Sequence, residues 1–188
     1  MLLYCFAGLL VYYIADNMNI IISGDKGVGK TTLCRRMADK LDYVGGVYSP
    51  RTKDGSLVVD ISSNESRLLT QNKSSGGDWF PVGERFISKQ GIKFAVESIH
   101  YAVVEPKIQV LFIDEIGRLE MEGGGFIVGV VNALSSGKIN VLVVRKNILD
   151  DFLDEYDMYR FNVRVLSAAN RDVMASDLLG LIKGGLRL

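Results

Sequence analysis

Ile20-Ile21-Ile22-Ser23-Gly24-Asp25-Lys26-Gly27-Val28-Gly29-Lys30-Thr31-Thr32 runs from an apolar strand-like segment through a glycine-rich turn into a helix-forming stretch. The turn fits G-x-x-x-x-G-K-[ST] at Gly24, Gly29, Lys30 and Thr31, in the strand-loop-helix setting this pattern needs. Glycines let successive backbone N–H groups point inward at phosphate oxygens, and the helix that follows presents an N-terminus that favours anions. Gly24, Asp25, Lys26, Gly27, Val28, Gly29, Lys30, Thr31 and Thr32 are therefore read as a phosphate-binding P-loop. Lys30 reaches the β- and γ-phosphates of a nucleoside triphosphate, and the Thr31 hydroxyl ligates Mg²⁺.

Working outward, the loop should open a helix over residues 29–41, with Leu33, Met37 and Leu41 at helical spacing on its core side. Cys34 sits beside that stripe and reads as a packed residue. Residues 43–90 read differently. Short β-like runs (Val47-Tyr48, Leu57–Ile61, Arg67–Leu69, Phe86–Ser88) alternate with polar turns, which predicts a β-rich insertion. From Gly91 onward apolar strands alternate with helices. Ile92 to Val103 form a helical stripe with His100 at its edge, and Asn147 reads as the N-cap of a later helix. Continuous apolar strands between helices predict a three-layer α/β fold with a mainly parallel sheet covered on both faces.

A second signal is Val110-Leu111-Phe112-Ile113-Asp114-Glu115, an apolar strand running into two acids. This is the Walker B pattern. Asp114 holds Mg²⁺, and Glu115 is placed to polarise an attacking water as general base. In open α/β sheets ligands sit beyond the carboxyl ends of the strands, so Gly24, Asp114, Arg145 and Ser167–Asn170 should share one sheet edge. Arg145, just past an apolar strand, is the first candidate for a cation on the γ-phosphate. Arg118 is the second, and surface or salt-bridging roles remain open for both. Asn170 suits a helix cap, and Arg171 is a candidate to stack on the base.

Composition narrows the classes. The chain has 188 residues, 48% of them hydrophobic, and a formal net charge of +0, which gives no strong nucleic-acid signal. Two cysteines, Cys5 and Cys34, and one histidine, His100, cannot build a Cys/His metal cluster and suggest a reducing, cytoplasmic setting. Any metal should be oxygen-ligated Mg²⁺ arriving with nucleotide. Residues 1–17 form an apolar N-terminal extension ahead of a single domain over 18–188. The extension is too short for an ordinary membrane span and lacks a basic leader region. It is read as a structural appendage or oligomer contact, with an over-long start and membrane association as alternatives.

Gly24–Thr32, the string Asp114-Glu115-Ile116-Gly117-Arg118-Leu119-Glu120 and the late Asn170-Arg171-Asp172 together resemble the THEP-type nucleoside-triphosphatases, over about Met18 to Leu181. The resemblance implies a P-loop fold related to nucleotide kinases and to ATPases with an added strand between the two Walker strands. It also implies slow, broad-specificity hydrolysis of ATP, GTP and other NTPs with Mg²⁺. Gly29, Lys30 and Thr31 match that family's phosphate and metal loop, and Asp114 and Glu115 its Walker B pair. The segment Gly46-Val47-Tyr48-Ser49-Pro50-Arg51-Thr52 is abbreviated relative to the family's pattern, and the N-terminal extension is not part of it. Asp114-Glu115-Ile116-Gly117 also fits the D-x-x-G switch of GTPases, but no N-K-x-D base reader follows. The expectation is an Mg²⁺-dependent NTP phosphohydrolase with Lys30, Glu115 and Arg145 as catalytic residues. The alternatives are a nucleotide or small-molecule kinase, with its acceptor near residues 43–90 against Arg51, Arg85 or Lys89, and an NTP-switched binding protein using Trp79-Phe80 or the N-terminal segment.

Overall fold

The computed structural model describes residues 18–73 and 76–186, so the apolar extension over residues 1–17 lies outside the described residues. Five strands form the parallel core of one sheet: β1 (Asn19–Gly24), β2 (Val44–Tyr48), β7 (Val110–Ile116), β8 (Ile139–Val144) and β9 (Phe161–Leu166). Four antiparallel strands continue the same sheet beyond β2: β3 (Gly55–Asp60), β4 (Ser66–Gln71), β5 (Trp79–Val82) and β6 (Arg85–Ser88). The order across the sheet is β5-β6-β4-β3-β2-β7-β8-β1-β9. β8 thus lies between β1, which feeds the glycine-rich loop, and β7, which ends in the two acids.

The strands alternate strictly between two cores. Ile21 packs into one buried cluster, while Ile20 and Ile22 pack into the other. The first cluster is completed by Ala95 and Ile99 of α2 (Lys89–Val104), Val130 and Ala133 of α4 (Ile127–Leu134) and Phe152 of α5 (Leu149–Glu155). The second is closed by Leu33 and Met37 of α1 (Lys30–Ala38) and by Met174, Leu178 and Ile182 of α6 (Arg171–Gly185). Because helices cover both faces, β1 and β8 are buried along their whole length, and their sequences carry no polar alternation. The fold is a three-layer α/β sandwich. No helix among the described residues is long and apolar enough to cross a membrane.

Several local expectations change. β2 is one of the parallel strands, paired with β7, so the added β structure begins after it. Those added strands extend the central sheet, and Trp79-Phe80, half-buried in β5, belong to its outer hairpin. Asn147 lies inside a 3₁₀ turn, Lys146–Ile148, and Ile148 takes the cap position of α5. His100 is exposed on α2, while Cys34 is buried, its thiol pKa pushed well up by burial.

Candidate functional site

The parallel register brings Gly24, Ser49, Asp114-Glu115, Arg145 and Ser167 to one edge of the sheet, at or just beyond the carboxyl ends of β1, β2, β7, β8 and β9. At Gly24 the backbone has φ 141, and a Cβ there would collide with the main-chain carbonyl of Leu166. At Gly29, φ is 108, the left-handed conformation that turns the loop into α1. No side chain caps α1, which leaves the amides of its first turn to a bound anion.

Lys30 lies across the loop it follows. Its Nζ donates to the carbonyls of Gly24 at 2.7 Å and Asp25 at 2.9 Å. Burial lowers its pKa, and Asp114, Asp25 and Glu115 act against that shift, while Arg145 adds to it. The lysine therefore shares one electrostatic neighbourhood with Asp114, Glu115 and Arg145.

Asp114 is buried at the end of β7. The Ser49 amide donates to its Oδ2 at 3.2 Å, and the Ser49 hydroxyl donates to its main-chain carbonyl at 3.4 Å. Burial pushes its pKa up to about 6. Glu115 adds to the rise, and hydrogen bonds from Thr31 and Ser49, with the charge of Lys30, oppose it. Thr31 and Asp114 are thus electrostatic neighbours across the two motifs. A hydroxyl and a carboxylate are hard oxygen donors and suit Mg²⁺; a divalent cation would favour the ionised form that burial disfavours. Among the described residues no cluster of three or more His, Cys, Asp or Glu side chains could hold a metal by itself.

Glu115 has φ 83, in the left-handed region, where the pairing of β7 with β8 shifts register between Ile113 and Ile116. A glutamate held there costs roughly 1–3 kcal/mol, and such irregularities re-aim a side chain at a site. Here the carboxylate meets Arg145, whose Nη2 lies 2.7 Å from Glu115 Oε1. The main chain supports the pair, since the Arg145 amide donates to Ile116 O at 3.0 Å. Gly117 makes room for the guanidinium: a Cβ there would sit 3.0 Å from Arg145 Nε.

The rest of the string after Glu115 is a brace. Glu120, buried in the single-turn helix α3 (Arg118–Met121), accepts from the amides of Gly117 at 2.8 Å and Phe126 at 3.2 Å. Burial raises its pKa, opposed by those amides and, more weakly, by Arg145. Arg118 pairs with Glu122 at 2.8 Å in an exposed bridge and touches neither Asp114 nor Glu115 through it. Asn170 takes the cap position of α6 without bonding its amides; it accepts from Ser167 N–H and donates to Val165 O, tying the loop after β9. Arg171 is exposed at the start of α6. Sequence reasoning missed Ser49, Glu120 and the bridge from Lys146 to Asp25 at 3.0 Å, which links the end of β8 to the P-loop. Assigning β2 to the parallel sheet would have pointed to Ser49, the first residue past its carboxyl end.

A family described as NTPase matches residues 19–179. Among curated proteins, the nucleoside-triphosphatase THEP1 of Methanopyrus kandleri is 29% identical over 175 residues, covering 86% of this chain and 93% of the relative. That of Thermococcus kodakarensis is 32% identical over 146 residues, covering 72% and 80%. The crystal structure of THEP1 from Aquifex aeolicus superposes with a TM-score of 0.73 at 21% identity, over 88% of this chain and 99% of that one, a likeness of fold.

Proposed function

The chain belongs to the NTPase family, and on that premise we propose that it is an Mg²⁺-dependent nucleoside-triphosphate phosphohydrolase of broad base specificity, releasing NDP and phosphate. The observation that carries this reading is the buried Asp114 carboxylate, held by the Ser49 amide near Thr31 and next to the Glu115–Arg145 pair. It supports a site in which metal-holding and proton-handling groups are separate but adjacent.

The loop amides from Gly24 to Thr32 and the Lys30 ammonium bind the β- and γ-phosphates. Triphosphate oxygens replace the Gly24 and Asp25 carbonyls as partners of Lys30 Nζ. Thr31 and Asp114 are the residues that would hold Mg²⁺, which when bound neutralises phosphate charge. Ser49 keeps the Asp114 carboxylate turned toward Thr31. Glu115 accepts the proton of the attacking water. Arg145 orients that carboxylate and offers its second face to the charge that develops on the γ-phosphoryl oxygens. Base selectivity has no named reader among these residues, in keeping with broad specificity. Cysteine usage supports a cytoplasmic setting for the activity.

The test is a phosphate-release panel over ATP, GTP, CTP and UTP, with Mg²⁺ and with excess chelator. All four should turn over at comparable rates, and chelation should abolish release. A single accepted base, or undiminished release without divalent metal, contradicts the proposal.

A further inference from the structure

A cavity of about 90 Å³ opens beside Glu115, between the antiparallel strands, α2 and the loop after α3. Leu69 of β4, Val82 of β5, Ile87 of β6, Ile92 of α2, Leu119 and Phe126 make its apolar walls, and Glu115 and Arg145 are among its polar lining residues. Three of those six walls come from the added strands, which supply none of the groups that hydrolysis uses.

The other polar groups around the cavity are engaged. Thr70 shares a hydrogen bond with Ser56 at 2.7 Å and accepts from Arg85 at 3.4 Å. Arg118 pairs with Glu122, and Glu120 is taken by the Gly117 and Phe126 amides. Glu115 and Arg145 also line the cavity, paired with each other at 2.7 Å, and this pair is what meets the polar end of an occupant. Water alone does not call for such walls, because apolar cavities stay dry and admit apolar molecules.

We propose that this cavity is an acceptor subsite, which takes the apolar end of a small alcohol so that the enzyme transfers the γ-phosphoryl group to its hydroxyl as well as to water. An engineered cavity of ~150 Å³ admits benzene, so the smaller space here suits a branched chain of roughly four or five carbons. In the transfer the alcohol oxygen forms a bond to Pγ, and the bond from Pγ to the β,γ-bridging oxygen breaks. That electron pair leaves on the β-phosphate of the nucleoside diphosphate, and the hydroxyl proton passes to the Glu115 carboxylate and then to solvent. The inference rests on Glu115 as the base for hydrolysis.

The experiment incubates the full chain with Mg·ATP and increasing 3-methylbutan-1-ol and resolves the products by phosphorus NMR. A saturable 3-methylbutyl phosphate signal is expected beside inorganic phosphate, with ADP equal to their sum. Val82→Phe, which fills the cavity from the outer hairpin, should cut the alkyl phosphate at least about ten-fold and leave phosphate release within about twofold. Ile92→Phe fills it independently from α2, and circular dichroism reports folding of both variants. Phosphate release without alkyl phosphate at any alcohol concentration overturns the subsite and leaves the hydrolase reading standing. So does an equal fall of both products in the two folded variants. Absence of both products from the wild-type protein overturns the hydrolase reading and this one with it.

Discussion

Arg145 Nη2 stands 2.7 Å from Glu115 Oε1, joining the ends of two adjacent parallel strands, β8 and β7. The pair is half-open to solvent, so as an ion pair it adds little to stability. Its geometry has a sharper consequence. The left-handed backbone at Glu115, the open Cα at Gly117 and the main-chain bond from Arg145 to Ile116 all serve to bring these two side chains together. Backbone strain held at one residue is the kind that clusters at active sites.

Arg145→Ala should lower kcat by about 10²–10³-fold, the usual cost of losing one charge-stabilising donor. Binding of a nonhydrolysable ATP analogue should change by less than about threefold, because Lys30 and the loop amides hold the phosphates. Arg145→Lys should not restore the rate, since an ammonium lacks the planar fork that meets Glu115 and a phosphoryl oxygen together. Equal losses in affinity and kcat would instead make Arg145 a binding residue.

Asp114 links stability to pH. Its pKa rises from 3.8 to about 6 on burial, so the folded protein binds this proton more tightly than the unfolded chain does. Its stabilising contribution is complete below about pH 4 and is lost as pH rises through about 6. Asp114→Asn carries no charge at any pH. In metal-free buffer at about pH 7.5 the variant should be the more stable by about 2–3 kcal/mol, and the gap should close toward about pH 4. Urea unfolding of both proteins across that range checks it, and parallel stability curves contradict it.

Glu120→Gln tests the brace. One amide oxygen accepts one of the two backbone N–H groups that Glu120 now holds, and the side-chain NH₂ faces the other. Leaving that donor unpaired should cost about 1–3 kcal/mol in unfolding free energy. Because Gly117 lies against the Arg145 guanidinium, a shift of its backbone should displace Arg145, and kcat should fall while KM stays near its wild-type value. An unchanged kcat at reduced stability would confine Glu120 to a structural role.

The glycine-rich loop and the acid-ended strand are legible because each is a short string of particular residue types at fixed spacing, and the strands that carry them are buried on both faces. Ile20-Ile21-Ile22 and Val110–Ile113 therefore announce both structure and site. The parallel order of β1 and β8 follows from the same continuous apolar runs. β2 is harder to recognise: Val44-Gly45-Gly46-Val47-Tyr48 has two glycines where close approach of neighbours forbids a side chain, at Gly46 the main chain of Phe112. Those glycines suggest a break in a chain that is in fact a core strand, so Ser49 stays hidden with it. Arg145 is visible as a residue past a strand end, but its partner is not, because the register shift that turns Glu115 toward it arises between strands. Glu120 reads as one more charge in a polar string, since its two amide partners are set by the loop's tertiary path.

Whether Glu115 takes the proton from water is decided by Glu115→Gln. The substitution preserves shape at a strained position and removes the basic oxygen pair. Single-turnover phosphate release from Mg·ATP should fall by at least about 10²-fold, while ATP affinity measured by calorimetry should remain within about threefold, because the P-loop is untouched. Phosphate release at the wild-type rate in a folded, ATP-binding Glu115→Gln protein would contradict the account.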